Sequence, residues 1–445
     1  MKASALPSRV AELMPQLRAD LERLVRLPSV AFAGYPEAPL RQAAATVADL
    51  LREAGVPRVE LLEIPGGPPV VCAARPAAPG APTVLLYAHY DVQPADDASA
   101  WKSPPFQPTQ HAGRLYGRGA ADDKSGIVMH TGALQALGAD CPVGVKVLIE
   151  GQEETGLGSL DELVLRHPDL VAADAIVIAD SGNRGLGVPT LTTSLRGMVA
   201  LDLAVETLAG PVHSGSFGGA APDGLVALCR IIATLHDEAG NVAVKGLDQI
   251  EYVGAGYEAS AYRTHAGVLP GVGLIGSGSI ADRLFAGPSI NVIGIDAPAM
   301  DGALNALVPR ARARVSVRLA PGQDPAEALR FVTRHLHAAA PWGARVTVTP
   351  NGAGKGFLAR TDGPAYAAAA DALRAAFGRD VVQLGQGGSI PLVAALERAA
   401  PGAEIILWGA EEPLCKIHAP DESVDLGELQ RMVLAEALFL AALAG

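Results

Sequence analysis

Two adjacent carboxylates, Glu153 and Glu154, follow an apolar run that reads as a strand. Adjacent acids at a metal site can divide the labour: one binds the ion, and the other stays free to take a proton from water. Glutamate pairs also occur on solvated surfaces, where they contribute little, so this pair takes its meaning from its company. The chain also carries His89-Tyr90-Asp91, the stretch Gly117-Arg118-Gly119-Ala120-Ala121-Asp122-Asp123-Lys124, an isolated Asp180 and a late His418. His89 and Asp91 lie two residues apart at a strand end and face the same side. A carboxylate placed there can hold the second nitrogen of a metal-bound imidazole; a merely solvated strand end is the alternative. Asp122 and Asp123 open a helix after a glycine-rich turn, where aspartate is a common cap. The alternative is a carboxylate bridging two cations about 3.5–4 Å apart, as in two-metal hydrolytic sites. Asp180 ends a buried apolar run, and His418 lies in Lys-Ile-His-Ala-Pro-Asp-Glu, in a loop ahead of the last helix.

The elements that must position these groups can be read from the period of the apolar residues. Residues 10–27 and 41–54 have helical spacing. Residues 59–64, 69–74, 83–89, 143–150 and 175–180 read as strands, with 190–194 as one more, and 123–137 is a helix. Near-continuous apolar strands alternating with helices predict a largely parallel sheet covered on both faces. Each candidate acid then sits at a strand's carboxyl end, the rim where open parallel sheets bind ligands. The stretch 101–119, rich in Pro and Gly, reads as a long loop with a small hairpin. Near Arg196 the rhythm changes to strand 197–206, helix 222–236, strands 289–295 and 311–320, helix 325–338 and strand 345–349. That is the β-α-β-β-α-β order of a ferredoxin-like unit, interrupted by 240–287. The first pattern then resumes with helix 364–377, strand 381–384, helix 390–398, strand 404–408 and a final helix from Leu426. The expected architecture is an α/β catalytic domain, 1–194 and 354–445, split by an inserted α+β lid at 195–353.

At 445 residues the chain can form two or three domains with a sizeable core. Hydrophobic residues make up 49% of it, much of that alanine, and no apolar run approaches the ~20 residues of a spanning helix. The first residues lack the apolar core of a signal peptide. A net charge of −12 without a basic cluster argues against nucleic acid as a partner. Cys72, Cys141, Cys229 and Cys415 are scattered, as reduced thiols in a cytosolic protein would be. Two motifs are set aside. Gly271-Val-Gly-Leu-Ile-Gly276 has dinucleotide-loop spacing but follows Leu269-Pro270 rather than a strand. Ser389, in Gly-Gly-Ser-Ile-Pro, is not in a nucleophile elbow.

The set as a whole resembles the co-catalytic zinc peptidases that include carnosinase, bacterial dipeptidases, aminoacylase, bacterial glutamate carboxypeptidase and succinyl-diaminopimelate desuccinylase. The resemblance runs essentially end to end. It rests on His-Tyr-Asp-Val-Gln-Pro, Gly-Arg-Gly-Ala-Ala-Asp-Asp-Lys, Gly-Gln-Glu-Glu-Thr-Gly, Pro-Val-His-Ser-Gly-Ser-Phe-Gly-Gly and Gly-Gly-Ser-Ile-Pro. It implies two divalent metal ions, zinc first, with manganese or cobalt as alternatives. His89, Asp122 and Asp180 would hold one ion, and Asp122, Glu154 and His418 the other, with Asp122 bridging. Asp91 would orient His89, Glu153 would be the general base, and the Asp122–Asp123 peptide would be cis. His213, on the lid, would stabilise the oxyanion, reaching across a homodimer into the partner's site. Asn305, Arg318, Gly388 and Ser389 match positions that hold the substrate's free carboxylate or backbone. Independently, Val315, Val317 and Leu319 alternate with Arg314, Ser316 and Arg318, which puts Arg318 on the face away from the lid's core. Its planar fork suits a terminal carboxylate. Aspartate at position 180 and the string Asp-Val-Gln-Pro look like the dipeptidase branch, whereas His-Ala-Pro-Asp-Glu stands where Asn-Glu is frequent. The implied activity is a cytoplasmic exopeptidase acting on dipeptides or short peptides. The alternative is an amidohydrolase of N-acyl or N-carbamoyl amino acids with the same dinuclear site.

Overall fold

Thr83–His89, an unbroken apolar run but for its ends, forms a strand in the middle of a large sheet. The computed structural model describes residues 3–95, 97–156, 158–388 and 390–444. Gly144–Glu150 and Ala175–Ile178 pair parallel to Thr83–His89 on its two sides, and Glu404–Leu407 lies parallel beyond Ala175–Ile178. Val70–Arg75 and then Arg58–Leu62 extend one flank antiparallel, and Thr190–Leu195 runs antiparallel to Glu404–Leu407 on the other. The parallel core is thus four strands whose carboxyl ends share one rim. Val84 to Ala88 are wholly buried, which is why this strand is apolar without alternation.

The helices follow from their patterns. Leu6–Val25 buries Leu6, Val10, Leu17, Leu21 and Leu24, a stripe at helical spacing. Lys124–Leu137 is buried almost all round, packed by Leu6–Val25 and Leu426–Ala442. Asp425 caps the last helix by accepting the Glu428 N–H at 2.8 Å. Trp408, at the end of Glu404–Leu407, packs edge-on against Phe439 of that helix, with ring centroids 5.5 Å apart. Ser159–Arg166 is a helix where none was expected. Only Leu160 and Val164 are buried along it, too short a pattern to stand out.

By contact the chain divides into two compact units, 1–193 with 359–384 and 391–445, and 194–358 with 385–390. The second is built on an antiparallel sheet in the spatial order Ser289–Asp296, Arg310–Leu319, Gly197–Glu206, Arg345–Gly354. Gly224–Ala233 and Pro325–Ala338 pack on it, completing the β-α-β-β-α-β plan. Ala311, Ala313, Val315, Val317 and Leu319 face its core, and Arg310, Arg312 and Arg314 face out. Asp324 caps Pro325–Ala338 through the Glu327 N–H. Residues 240–287 contribute the short helix Ala259–His265 and a wide turn at Asp282–Ala286. Among the described residues no helix is long and apolar enough to cross a membrane.

Candidate metal centre

The first unit brings together acids and imidazoles from five strand ends and loops. His89 closes the strand Thr83–His89, and its ring is fully buried. Its Nδ1 lies 3.1 Å from the Asp91 carbonyl oxygen and 3.4 Å from Asp91 Oδ1. Its Nε2 points at Asp122 Oδ1, 3.0 Å away. The Asp91 carboxylate also accepts the backbone N–H groups of Glu153 and Glu154 at 3.2 and 3.1 Å. The His89 strand end is thereby clamped to the glutamate pair, which sits in the tight turn Glu153–Thr155 after Gly144–Glu150.

Asp122 joins Asp123 through a cis peptide. Its two carboxylate oxygens face two histidines, Oδ1 to His89 Nε2 and Oδ2 to His418 Nε2 at 2.8 Å. His418 Nε2 also lies 3.2 Å from Glu154 Oε2. The capping alternative for this acid pair does not hold, because Asp123 stands at the helix start but its side chain makes no cap bond. Its Oδ2 instead accepts the His89 N–H at 3.3 Å, and its Oδ1 is buried without a partner.

Several supporting residues carry no signal in the sequence that would single them out. Gln93 donates to Glu154 through its backbone N–H at 3.0 Å and its side-chain amide at 2.7 Å. Glu422 Oε1 accepts the N–H groups of Ala121 and Asp122 at 3.1 and 3.2 Å, and Arg118 holds its other oxygen at 2.7 Å. Lys124, fully buried, donates to the Leu24 and Leu27 carbonyls at 2.9 and 2.8 Å, tying the site's helix to the end of Leu6–Val25. Gln93 stands in a string that carries the family resemblance and Glu422 in one that departs from it, and only their partners mark them as supports. Glu411 is a further residue that sequence reasoning missed, although Glu411-Glu412 follows an apolar strand as Glu153-Glu154 does.

Ligand-type atoms gather into three groups, each within 4.8 Å: His89, Glu153 and Asp180; Asp122, Glu154 and His418; and Asp122, Asp180 and Glu411. The set is rich in carboxylate with imidazole, suited to divalent cations, and two groups share Asp122. A buried carboxylate oxygen lacking a donor, Glu411 Oε1, gives the same indication, because a buried anion needs compensation. The residues therefore fit a pair of divalent cations.

The electrostatics follow from this crowding. Burial pushes Glu153 up to about 7, with Asp122, Asp91 and Glu154 adding to the rise against His89. Burial, then Glu153, lifts Asp180 well above the carboxylate range. Asp122 goes the other way: burial raises it, but His418 and His89 reverse this and hold it low. Hydrogen bonds to Asp122 and Glu154 raise His418 to about 10.

These directions fix a pH dependence for the metal-free protein. Between pH 5 and 7 the native state holds more protons than the unfolded chain, because Glu153 and Asp180 are raised in the fold. Their contribution is complete below the unfolded carboxylate value and is lost as pH rises through the folded values. Lys124, pulled down to about 7 by burial, opposes this only above pH 7, and Asp122 only in acid. Chelator-stripped protein should therefore melt about 5 °C lower at pH 7 than at pH 5, with added metal abolishing the drop. A flat or rising melting profile would contradict the crowding.

In the second unit, His213 and Asn305 lie together: Val212–His213 pairs with Ala306–Leu307, and the Ser214 N–H donates to the Asn305 carbonyl at 2.9 Å. Both are exposed. His213 Nδ1 accepts the Gly215 N–H at 3.1 Å, which leaves Nε2 to carry the ring proton outward. Arg318 is half-buried opposite Ser289 and Met198, off the core-facing row. Gly388 is exposed in the same unit, and Ser389 lies outside the described residues.

Comparison with known proteins finds relatives along most of the chain. Residues 85–442 match the model of peptidase family M20/M25/M40. A cysteinylglycine-S-conjugate dipeptidase of Corynebacterium striatum is 42% identical over 369 residues, 81% of each chain. A Beta-Ala-His dipeptidase of Mus musculus is 32% identical over 324 residues, 67% of this chain and 66% of that one. The crystal structure of human carnosine dipeptidase 1 superposes with a TM-score of 0.85 at 25% identity, covering 100% of this chain and 99% of that one. A match over most of the chain, with acids and imidazoles converging at the sheet's rim, leads to one assignment: the chain belongs to peptidase family M20/M25/M40.

Proposed function

We propose that the chain is a metal-dependent dipeptidase, hydrolysing the amide bond of dipeptides or short peptides. The observation that carries this is Glu153, an acid poised near neutrality and clamped by Asp91 among the metal-ligand groups. The relatives named as dipeptidases support the substrate class. His89, Asp122 and Asp180 would hold one cation and Asp122, Glu154 and His418 the other; zinc is the proposed ion, with manganese and cobalt alternatives. When bound, the pair supplies Lewis acidity toward water and the scissile carbonyl.

The chain's own residues then act in order. Glu153 takes a proton as the water oxygen attacks the carbonyl carbon. His213 donates its Nε2 proton in a hydrogen bond to the developing oxyanion. As the carbon–nitrogen bond breaks, Glu153 returns the proton to the leaving amine, giving a free amino acid and a new carboxylate. Arg318 binds the substrate's terminal carboxylate through its fork, with Asn305, Gly388 and Ser389 bordering the substrate backbone. The second unit is proposed as a homodimer interface through which His213 serves the partner's site, in a cytoplasmic enzyme.

A substrate panel tests this reading. Cysteinylglycine S-conjugates, β-alanyl-histidine and simple dipeptides are assayed beside acetyl-, succinyl- and carbamoyl-amino acids. Turnover confined to the dipeptides is expected, and His213→Ala should lower it by about 10²–10³-fold. Preference for the acylated amino acids would replace this reading with an amidohydrolase, and undiminished turnover in His213→Ala would remove the oxyanion role.

A further inference from the structure

Glu411 has no place in the two proposed cation sets, yet the fold delivers it to them. The strands Ala175–Ile178 and Glu404–Leu407 run parallel, and their partnership continues past both ends as a bridge between Gly182 and Glu411. The Asn183 N–H donates to the Glu411 carbonyl at 2.7 Å. Two glycines permit the approach. A Cβ on Gly182 would meet Glu411 Cβ at 2.9 Å, and one on Gly409 would collide with the Ser181 and Ala179 carbonyl oxygens. Asp180 and Glu411 are therefore held side by side by strand register and close backbone packing.

The two acids of Glu411-Glu412 have different surroundings. Glu412 is satisfied, pairing with Arg114 at 2.6 Å and accepting the Leu414 N–H at 2.8 Å. Glu411 is 5% exposed, and its Oε1 has no hydrogen-bond partner. A Glu411 carboxylate oxygen lies within 4.8 Å of ligand oxygens on Asp122 and Asp180. A buried carboxylate with one donorless oxygen, facing two further acids, is costly unless a cation shares the space.

We propose that Glu411 is a direct metal ligand, adding a third carboxylate to the cation held by Asp122 and Asp180. The inference rests on the two-cation reading of the site. It makes that position richer in oxygen, and hence more favourable to a hard ion such as Mn²⁺ relative to Zn²⁺ than His89, Asp122 and Asp180 alone would be.

The test compares wild type, Glu411→Gln and Glu411→Asp. Metal content is measured by mass spectrometry after dialysis, Mn²⁺ binding by electron paramagnetic resonance, Zn²⁺ binding by chelator competition, and melting with and without chelator. Wild type should hold two ions. Glu411→Gln should bind one of them about tenfold or more weakly, with a larger loss for Mn²⁺ than for Zn²⁺. Its metal-free form should melt no lower than wild type, since one of the crowded acids has been removed. Glu411→Asp, which keeps the charge, should fall between the two and serves in place of the glutamine variant if that proves insoluble. Unchanged affinity and unchanged Mn²⁺/Zn²⁺ ratio in the variants would overturn the proposal. So would a metal-free melting loss with metal binding intact, which would make Glu411 a structural carboxyl. A wild-type protein that binds no metal would instead refute the underlying site, a separate outcome.

Discussion

Glu153→Gln should lower kcat by roughly 10²–10⁴-fold while metal content stays at the wild-type level. The substitution is nearly isosteric. It keeps the backbone N–H that Asp91 holds at 3.2 Å, so the Asp91 clamp on the turn Glu153–Thr155 survives. What disappears is the group that can take a proton near neutral pH. KM should change little, since no substrate-binding group is removed, and kcat/KM should fall with kcat. Single-turnover kinetics on metal-loaded protein, with metal measured on the same sample, checks this. Turnover near wild type in a fully loaded variant would remove Glu153 as the base.

Asp122→Ala should remove activity by a different route, and metal content should tell the two variants apart. Both carboxylate oxygens of Asp122 face histidines, His89 on one side and His418 on the other, and Asp122 is the acid shared by two ligand groups. Its loss should cut binding of both cations and bring turnover down by about 10³-fold or more. Circular dichroism should stay native, because the Arg118–Glu422 pair and the Lys124 bonds that fix this loop do not use the Asp122 side chain. Two tightly held ions in Asp122→Ala would show that Asp122 is not shared.

The same residues show why parts of the centre are legible in the sequence. His89, Glu153, Glu154 and Asp180 each follow an apolar run, and an apolar run ending in a charged or metal-binding residue is a local pattern. Asp91 is legible as the partner of His89 because two residues along a strand return to one face. Its clamp on the glutamate turn is not, since the Glu153 and Glu154 N–H groups it accepts lie on another strand's end. Asp123 looks like a helix cap by position, but its carboxylate turns to the His89 backbone. Glu411 carries the same local signal as Glu153-Glu154, yet its significance depends on which strand lies beside it.

By itself, the amino-acid order determined the kinds of element, their succession and the acids and histidines standing at their ends, because hydrophobic period and side-chain chemistry are properties of neighbouring residues. Only the tertiary structure decided which of those ends meet. The parallel pairing of Thr83–His89, Gly144–Glu150, Ala175–Ile178 and Glu404–Leu407 joins segments far apart in the chain. The close approach at Gly182 and Gly409 then sets Glu411 beside Asp180. Such contacts arise from packing across the sheet, where burial and register act together, and no stretch of chain encodes them alone.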